Sequence, residues 1–156
     1  MQLNAYIDGA CEPVNPGGTA SYGVVVYGST KYHILFSTQG IVGRGKFMSN
    51  NVAEYAALGH LLEWYRDNRD KYKEYTIIVH SDSQLLVNQM NGNWNVHGGL
   101  YLKYYDTATM LIAQWKPKIQ YKWIPREENT VADMLSVKAL AAYNILPRPK
   151  GVNYDS

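Results

Sequence analysis

The sequence has few of the features that direct a protein to an oxidising compartment or a membrane. It contains one cysteine, Cys11, so it can form neither an internal disulfide nor a cysteine-based metal site, which suits a reducing cytosol. The N-terminus, MQLNAYIDG, lacks a basic leader followed by an apolar run, and no stretch approaches the ~18 apolar residues of a membrane span. These absences predict a cytoplasmic protein with no membrane partner.

Strong net charge, internal repeats and low-complexity segments are also missing. The formal net charge is +2, which permits a nucleic-acid partner without selecting one, because many enzymes of small metabolites have similar values. The 156 residues, 46% apolar and 18% charged, indicate one globular domain over residues 1–156, and we expect a monomer. A proline-rich tail is expected from about residue 144 to residue 156.

The order of the predicted elements indicates an α/β fold with a mixed five-stranded sheet. Strand patterns near residues 3–8, 21–28 and 31–42 are separated by short connections, which favours an antiparallel meander. Strand patterns at 75–80 and 118–124 follow helical segments, so we expect both strands to lie parallel to the first, with helices on both faces of the sheet. The helices are predicted at about 49–68, 82–90, 98–115 and 128–144.

Four acidic residues fall where this architecture brings separate segments together. Asp8 is predicted at the end of the first strand and Asp82 just after the fourth, while Glu54 and Asp133 are predicted in the first turns of two helices. An interaction with the helix dipole would explain the position of Asp82, and helix capping would explain those of Glu54 and Asp133. The capping partners would be Asn51 for Glu54 and Thr130 for Asp133. Asp8 has no such role, although burying an unpaired carboxylate is costly.

A bound cation would compensate Asp8. Glu54 shares a helical stripe with Leu58, Leu61 and Tyr65, so its side chain is expected to face the sheet. Adjacent parallel strands end at the same edge, which would bring the acids close enough to raise one another's pKa unless cations bind between them. Oxygen ligands without cysteine or clustered histidine favour Mg²⁺ or Mn²⁺ over zinc.

Four segments in order, YIDGA, SNNVAEYAAL, VHSDSQLLVNQ and PREENTVADMLS, resemble the signature segments of the type 1 ribonuclease H family. The resemblance covers the chain from about Gln2 to Tyr143. It implies a ribonuclease H-like fold and endonucleolytic hydrolysis of the RNA strand of an RNA/DNA hybrid, leaving 5′-phosphate and 3′-hydroxyl ends. It also implies that two Mg²⁺ ions, with Mn²⁺ as a possible substitute, are held by the catalytic carboxylates Asp8, Glu54, Asp82 and Asp133.

The resemblance further implies that polar residues near the acids contact the hybrid. Four amide side chains match groups that read 2′-hydroxyls in the minor groove: Asn15, Asn50, Asn51 and Gln84. Ser49 matches a residue that holds a DNA-strand phosphate, and Trp94 matches an aromatic that packs on the DNA backbone. Turn and cap chemistry is the alternative for the amides, and core packing is the alternative for Trp94.

The chain departs from the family pattern at two places. Many members have a histidine ten residues before the last catalytic aspartate, but Trp123 stands here; Arg126, Glu127 and Glu128 could substitute or could be solvated loop charges. The stretch NGNWNVHGG has no lysine or arginine where some members carry a basic handle, which predicts modest, salt-dependent affinity. Two other functions stay open: a nuclease of this fold that also cuts double-stranded RNA or DNA, and a non-catalytic hybrid-binding module, which would be expected to have lost an acid.

Overall fold

A five-stranded sheet with strand order β3-β2-β1-β4-β5 forms the centre of the molecule. The computed structural model describes residues 1–30 and 32–149. The strands are β1 (Gln2–Glu12), β2 (Thr19–Tyr27), β3 (Ile34–Arg44), β4 (Thr76–Ser81) and β5 (Lys118–Trp123). The first three pair antiparallel, β4 is parallel to β1, and β5 is parallel to β4, which confirms the predicted fold class.

The helices agree with the prediction except at some boundaries. They are α1 (Asn50–Asp67), α2 (Arg69–Tyr72), α3 (Gln84–Met90), α4 (Leu102–Trp115) and α5 (Thr130–Ala141), with a 3₁₀ turn at Arg126–Glu128. The short α2 was not predicted. Gly98 and Gly99 stay outside α4, contrary to the prediction, because adjacent glycines lose much conformational freedom in a helix.

Helices α1 and α5 lie on opposite faces of the sheet. Successive side chains of a strand point to opposite faces, and paired residues of neighbouring strands share a face. Gly9 of β1 lies against α1, whereas Gly23, the partner of Asp8 in β2, lies against α5. The hydrophobic core includes residues of β1, α1, α3 and α4, and the predicted buried stripe of α1 is confirmed.

Strand β1 extends further than predicted, so Asp8 lies inside the strand instead of at its end. Parallel pairing with β4 stops at Tyr6, opposite His80, while the antiparallel pairing with β2 continues to Glu12, opposite Thr19. The hairpin to β2 therefore supports the residues beyond Asp8 after β4 has ended. Asp8 remains just past the point where β4 leaves the sheet, and Asp82 immediately follows β4.

None of the helices in residues 1–30 and 32–149 combines the length and apolar character needed to cross a membrane. The predicted tail is described only in part, since residues 150–156 lie outside the described residues. The described part contacts the core domain through Arg148, which pairs with Glu12.

Candidate active site

Two glycines let helices approach the sheet beside Asp8. A Cβ atom added to Gly9 would lie 2.5 Å from backbone atoms of Ala53 and Glu54, and one added to Gly23 would clash with the carbonyl oxygen of Ala132. These distances are too short for real side chains, so each strand contacts the helix backbone directly. Glu54 on α1 and Asp133 on α5 are thereby brought to Asp8 from opposite faces.

The structure brings the four predicted acids, here called the acid cluster (Asp8, Glu54, Asp82 and Asp133), to one cavity. One carboxylate oxygen from each of Asp8, Glu54 and Asp82 lies within 4.8 Å of the others. Asp8 and Glu54 are only 5% and 6% exposed. Asp133 is close enough for its charge to act on both Asp8 and Asp82.

Burial and mutual repulsion make the charged form of this cluster unfavourable. Burial, followed by the charges of Asp82 and Asp133, raises the pKa of Asp8 well above its usual range. Burial, followed by the charges of Asp8 and Asp82, does the same to the pKa of Glu54. Burial also raises the pKa of Asp82, although the Arg126 guanidinium and the polar side chain of Asn129 oppose it.

The donor set fits a hard divalent cation. Oε2 of Glu54 is a buried oxygen without a hydrogen-bond partner among the described residues, beside two further carboxylates. A buried acceptor of this kind is costly unless a cation or a donor reaches it. All ligands are carboxylate oxygens, the chemistry that Mg²⁺ and Mn²⁺ prefer.

Helix α1 begins within the predicted range, at a position that excludes a capping role for Glu54. Its N-cap is Ser49, whose side chain accepts a hydrogen bond from the backbone N–H of Val52 at 3.2 Å. Glu54 consequently lies beyond the first turn in which it was predicted, and the alternative role of Glu54 in a capping box with Asn51 is excluded. Because other groups satisfy the helix start, the Glu54 carboxylate has no capping role.

Asn129 is a site residue that sequence reasoning missed. It is buried at the N-cap position of α5, where Thr130 had been predicted, and its Nδ2 donates to the carbonyl oxygen of Ile7 at 2.8 Å. Its side chain also lies close enough to Asp82 to lower the pKa of that carboxyl. Asn129 thus connects Ile7, the residue before Asp8, to the start of the helix that carries Asp133, and it lies beside Asp82. An asparagine before an apolar helical run was the available signal.

The cavity has a volume of about 470 Å³ and is open to solvent. Besides the acid cluster, it is lined by Gly9, Ala10, Glu12, Asn50, Gln84, Trp123, Arg126, Arg148 and Pro149. Two of the predicted substrate-contact residues, Asn50 and Gln84, therefore face the space beside the acids.

The other predicted contact residues lie around this cavity. Asn15 is buried in the turn between β1 and β2, where its Oδ1 accepts a hydrogen bond from the backbone N–H of Asn50 at 3.0 Å. Ser49 caps α1, and Asn51 is half-buried in its first turn. Trp94 lies between α3 and α4 and is 46% exposed, which excludes its alternative as a core residue.

Trp123 lies at the cavity wall, at the end of β5. Its indole Nε1 donates to the backbone carbonyl oxygen of Asp82 at 3.2 Å. An indole cannot exchange a proton as an imidazole does, so the hydrogen bond from Trp123 to Asp82 serves to hold the two residues in place. Of the three charged residues considered as substitutes, Arg126 lines the cavity, while Glu127 and Glu128 are exposed in the 3₁₀ turn.

The chain is similar to known proteins over most of its length. The sequence profile of the reverse transcriptase-like family matches residues 7–139. A curated relative, the bifunctional protein Rv2228c of Mycobacterium tuberculosis, is 38% identical over 128 residues, which are 82% of this chain. The chain spans 33% of the length of that relative.

Solved structures extend the likeness to the fold. The structure of LC11-RNase H1 in complex with an RNA/DNA hybrid has a TM-score of 0.82 and 29% identity, covering 92% of this chain and 99% of that one. The N-terminal RNase H domain of Rv2228c from Mycobacterium tuberculosis, solved as a fusion with maltose-binding protein, has a TM-score of 0.73 and 34% identity, covering 89% and 98%. The chain therefore belongs to the reverse transcriptase-like family and, within it, to the type 1 ribonucleases H.

Proposed function

We propose that this chain is an endoribonuclease that hydrolyses the RNA strand of RNA/DNA hybrids with the help of divalent metal ions. The observation that carries the proposal is the convergence of Asp8, Glu54 and Asp82 within 4.8 Å, two of them buried. Such a cluster opposes folding, so a function is the best account of its presence. The solved complex of LC11-RNase H1 with a hybrid supports the substrate class.

The acid cluster is assigned the role of holding two Mg²⁺ ions, with Mn²⁺ as a substitute. When bound, such ions supply an activated water and stabilise charge at the scissile phosphate and the departing 3′ oxygen, leaving 5′-phosphate and 3′-hydroxyl ends. The protein contributes ligand positions that are fixed before substrate arrives: Gly9 and Gly23 set the helix distances, and Asn129 ties the start of α5 to Ile7. No covalent nucleophile is required.

Substrate selection is assigned to the amide rim, defined as Asn15, Asn50, Asn51 and Gln84. Amides at the minor groove recognise 2′-hydroxyls, which distinguish RNA from DNA, while sequence information in that groove is degenerate. Ser49 and Trp94 are assigned to the DNA strand. We therefore expect cleavage that requires ribose near the cut and is largely independent of base sequence.

The test is cleavage of an end-labelled RNA/DNA hybrid, a double-stranded RNA and a double-stranded DNA of one sequence, each with Mg²⁺, Mn²⁺ or EDTA. We expect internal cuts in the RNA strand of the hybrid with either metal and none in EDTA. Equal cleavage of double-stranded RNA would identify a broader nuclease. Binding of the hybrid without cleavage in either metal would identify a non-catalytic module and overturn the proposal.

We further propose that the nuclease domain extends over residues 1–156 and acts as a monomer in the cytoplasm. The single cysteine, which suits a reducing compartment, supports the location. Light scattering of the purified chain checks the oligomeric state, and a mass near twice 17.7 kDa would contradict it.

A further inference from the structure

The chain that follows α5 returns to β1 at the edge of the candidate active site. The backbone N–H and the Nε of Arg148 both donate to Oε2 of Glu12 at 2.9 Å, and Nη2 of Arg148 donates to the carbonyl oxygen of Cys11 at 2.9 Å. Residues 145–149 are here called the C-terminal segment. Arg148 and Pro149 of this segment line the same cavity as the acid cluster.

This ion pair is far less exposed than the others in the described residues. The side chains of Arg148 and Glu12 are 14% and 10% exposed, whereas those of the Arg66–Asp67 and Lys118–Glu74 pairs are between 38% and 69% exposed. Exposed pairs contribute little, but removing one partner of a buried pair leaves an uncompensated charge. The Glu12–Arg148 pair is therefore a strong anchor for the C-terminal segment.

The anchor holds the base of a loop that supports substrate-contact residues. Glu12 ends β1, and three residues later Asn15 accepts a hydrogen bond from the backbone N–H of Asn50, the first residue of α1. The same loop is tied to the residue before Ser49 by a bond from the N–H of Gly17 to the carbonyl oxygen of Met48 at 2.9 Å. A continuous set of contacts thus connects Arg148 to two members of the amide rim.

We propose that Arg148 is a positioning residue for substrate binding: through Glu12 and Cys11 it fixes the loop that carries Asn15 and contacts Asn50, and the C-terminal segment walls the cavity on that side. The inference rests on the proposed hybrid-cleaving function. The acids themselves are held by other contacts, at Gly9, Gly23 and Asn129. Loss of Arg148 should therefore weaken hybrid binding and leave the chemical step nearly unchanged.

Steady-state cleavage of the hybrid by the full chain, at a temperature well below the lowest melting temperature, tests this directly. We expect Arg148→Ala to raise KM roughly five- to twentyfold with kcat within about twofold of wild type. Arg148→Lys keeps the charge but loses the planar fork of donors, so its KM should be intermediate. In the double variant Glu12→Gln/Arg148→Ala, KM should not exceed that of Arg148→Ala, because the residues act as one unit.

Lys118→Ala is the matched control, since it breaks an exposed ion pair away from the cavity and should leave both constants unchanged. If Arg148→Ala and Lys118→Ala share the wild-type KM, the segment is only structural and the inference fails. A parallel fall in kcat and kcat/KM would also overturn it, because Arg148 would then act in the chemistry. If Arg148→Ala does not fold, the KM of Arg148→Lys decides between these outcomes. A wild type that cuts no hybrid would instead overturn the proposed function and this inference together.

Discussion

The acid cluster and the amide rim adjoin the same cavity but are built in opposite ways. The acids oppose folding, and backbone contacts at Gly9 and Gly23 hold them together. Among the rim residues, Asn15 also takes part in folding, since its Oδ1 accepts a hydrogen bond from the backbone N–H of Asn50 at the start of α1. A residue that lowers the stability of the fold and has no structural role strongly indicates a function. A residue that also stabilises the fold does not distinguish a functional role from a structural one.

The largest effect that this comparison predicts is that of Asp8→Asn. We expect the variant to lose cleavage by a factor of about a thousand or more, because it removes a central metal ligand. Without metal, its melting temperature should rise by about 2–4 °C, since a buried repulsive charge is gone. Gel cleavage assays and calorimetry measure the two properties; a well-folded variant with wild-type activity would end the metal-ligand assignment.

Gly9→Ala should break the geometry of the acid cluster while leaving every acid in place. The added Cβ must move α1 away from β1, and a displacement of about 1 Å can reduce kcat by about a hundredfold. Overpacking of this kind also costs about 1–3 kcal/mol of stability. The control is Gly59→Ala in α1, where an added Cβ meets nothing within 4 Å. That variant should keep its activity and gain about 1 kcal/mol; equal effects of the two substitutions would refute the close-approach argument.

The stability of the metal-free protein should depend on pH through Asp8 and Glu54. Their raised pKa values mean that the folded protein retains protons that the unfolded chain releases above about pH 4. The stability that these groups contribute is complete below that pH and is lost as the pH rises through their folded pKa values. In EDTA, the melting temperature of wild type relative to Asp8→Asn should therefore fall as the pH rises above about 4, and Mg²⁺ should reverse the fall. Parallel curves for the two proteins would contradict this.

The smallest effects are expected at the amide rim and its neighbour Ser49, and they separate binding from folding. Gln84→Ala should raise KM for the hybrid about threefold to tenfold with little change in melting temperature, because its exposed side chain lines the cavity. Ser49→Ala should instead remove the α1 cap and cost about 1 kcal/mol. If Gln84→Ala only lowered the melting temperature, its role would be structural and not one of contact.

The fold class could be predicted because strand spacing and helical crossovers leave few topologies open. The convergence of the four acids was predictable for the same reason, since parallel β1 and β4 bring Asp8 near Asp82. The end of β1 was misjudged because the sequence does not reveal that the hairpin with β2 continues past β4. The Glu12–Arg148 pair joins residues 136 positions apart, a tertiary contact that no local pattern indicates.

The central claim is that metal ions held by the acid cluster act on the scissile phosphate. It is tested most directly by single-turnover cleavage of hybrids in which one non-bridging oxygen of a single scissile phosphate is replaced by sulfur, in each of the two stereochemical forms. Sulfur is a poor ligand for Mg²⁺ and a better one for the softer Mn²⁺. The account predicts that at least one form is cut far more slowly than the all-oxygen hybrid in Mg²⁺ and regains much of its rate in Mn²⁺. Equal slowing in both metals, or no slowing in either, would contradict it.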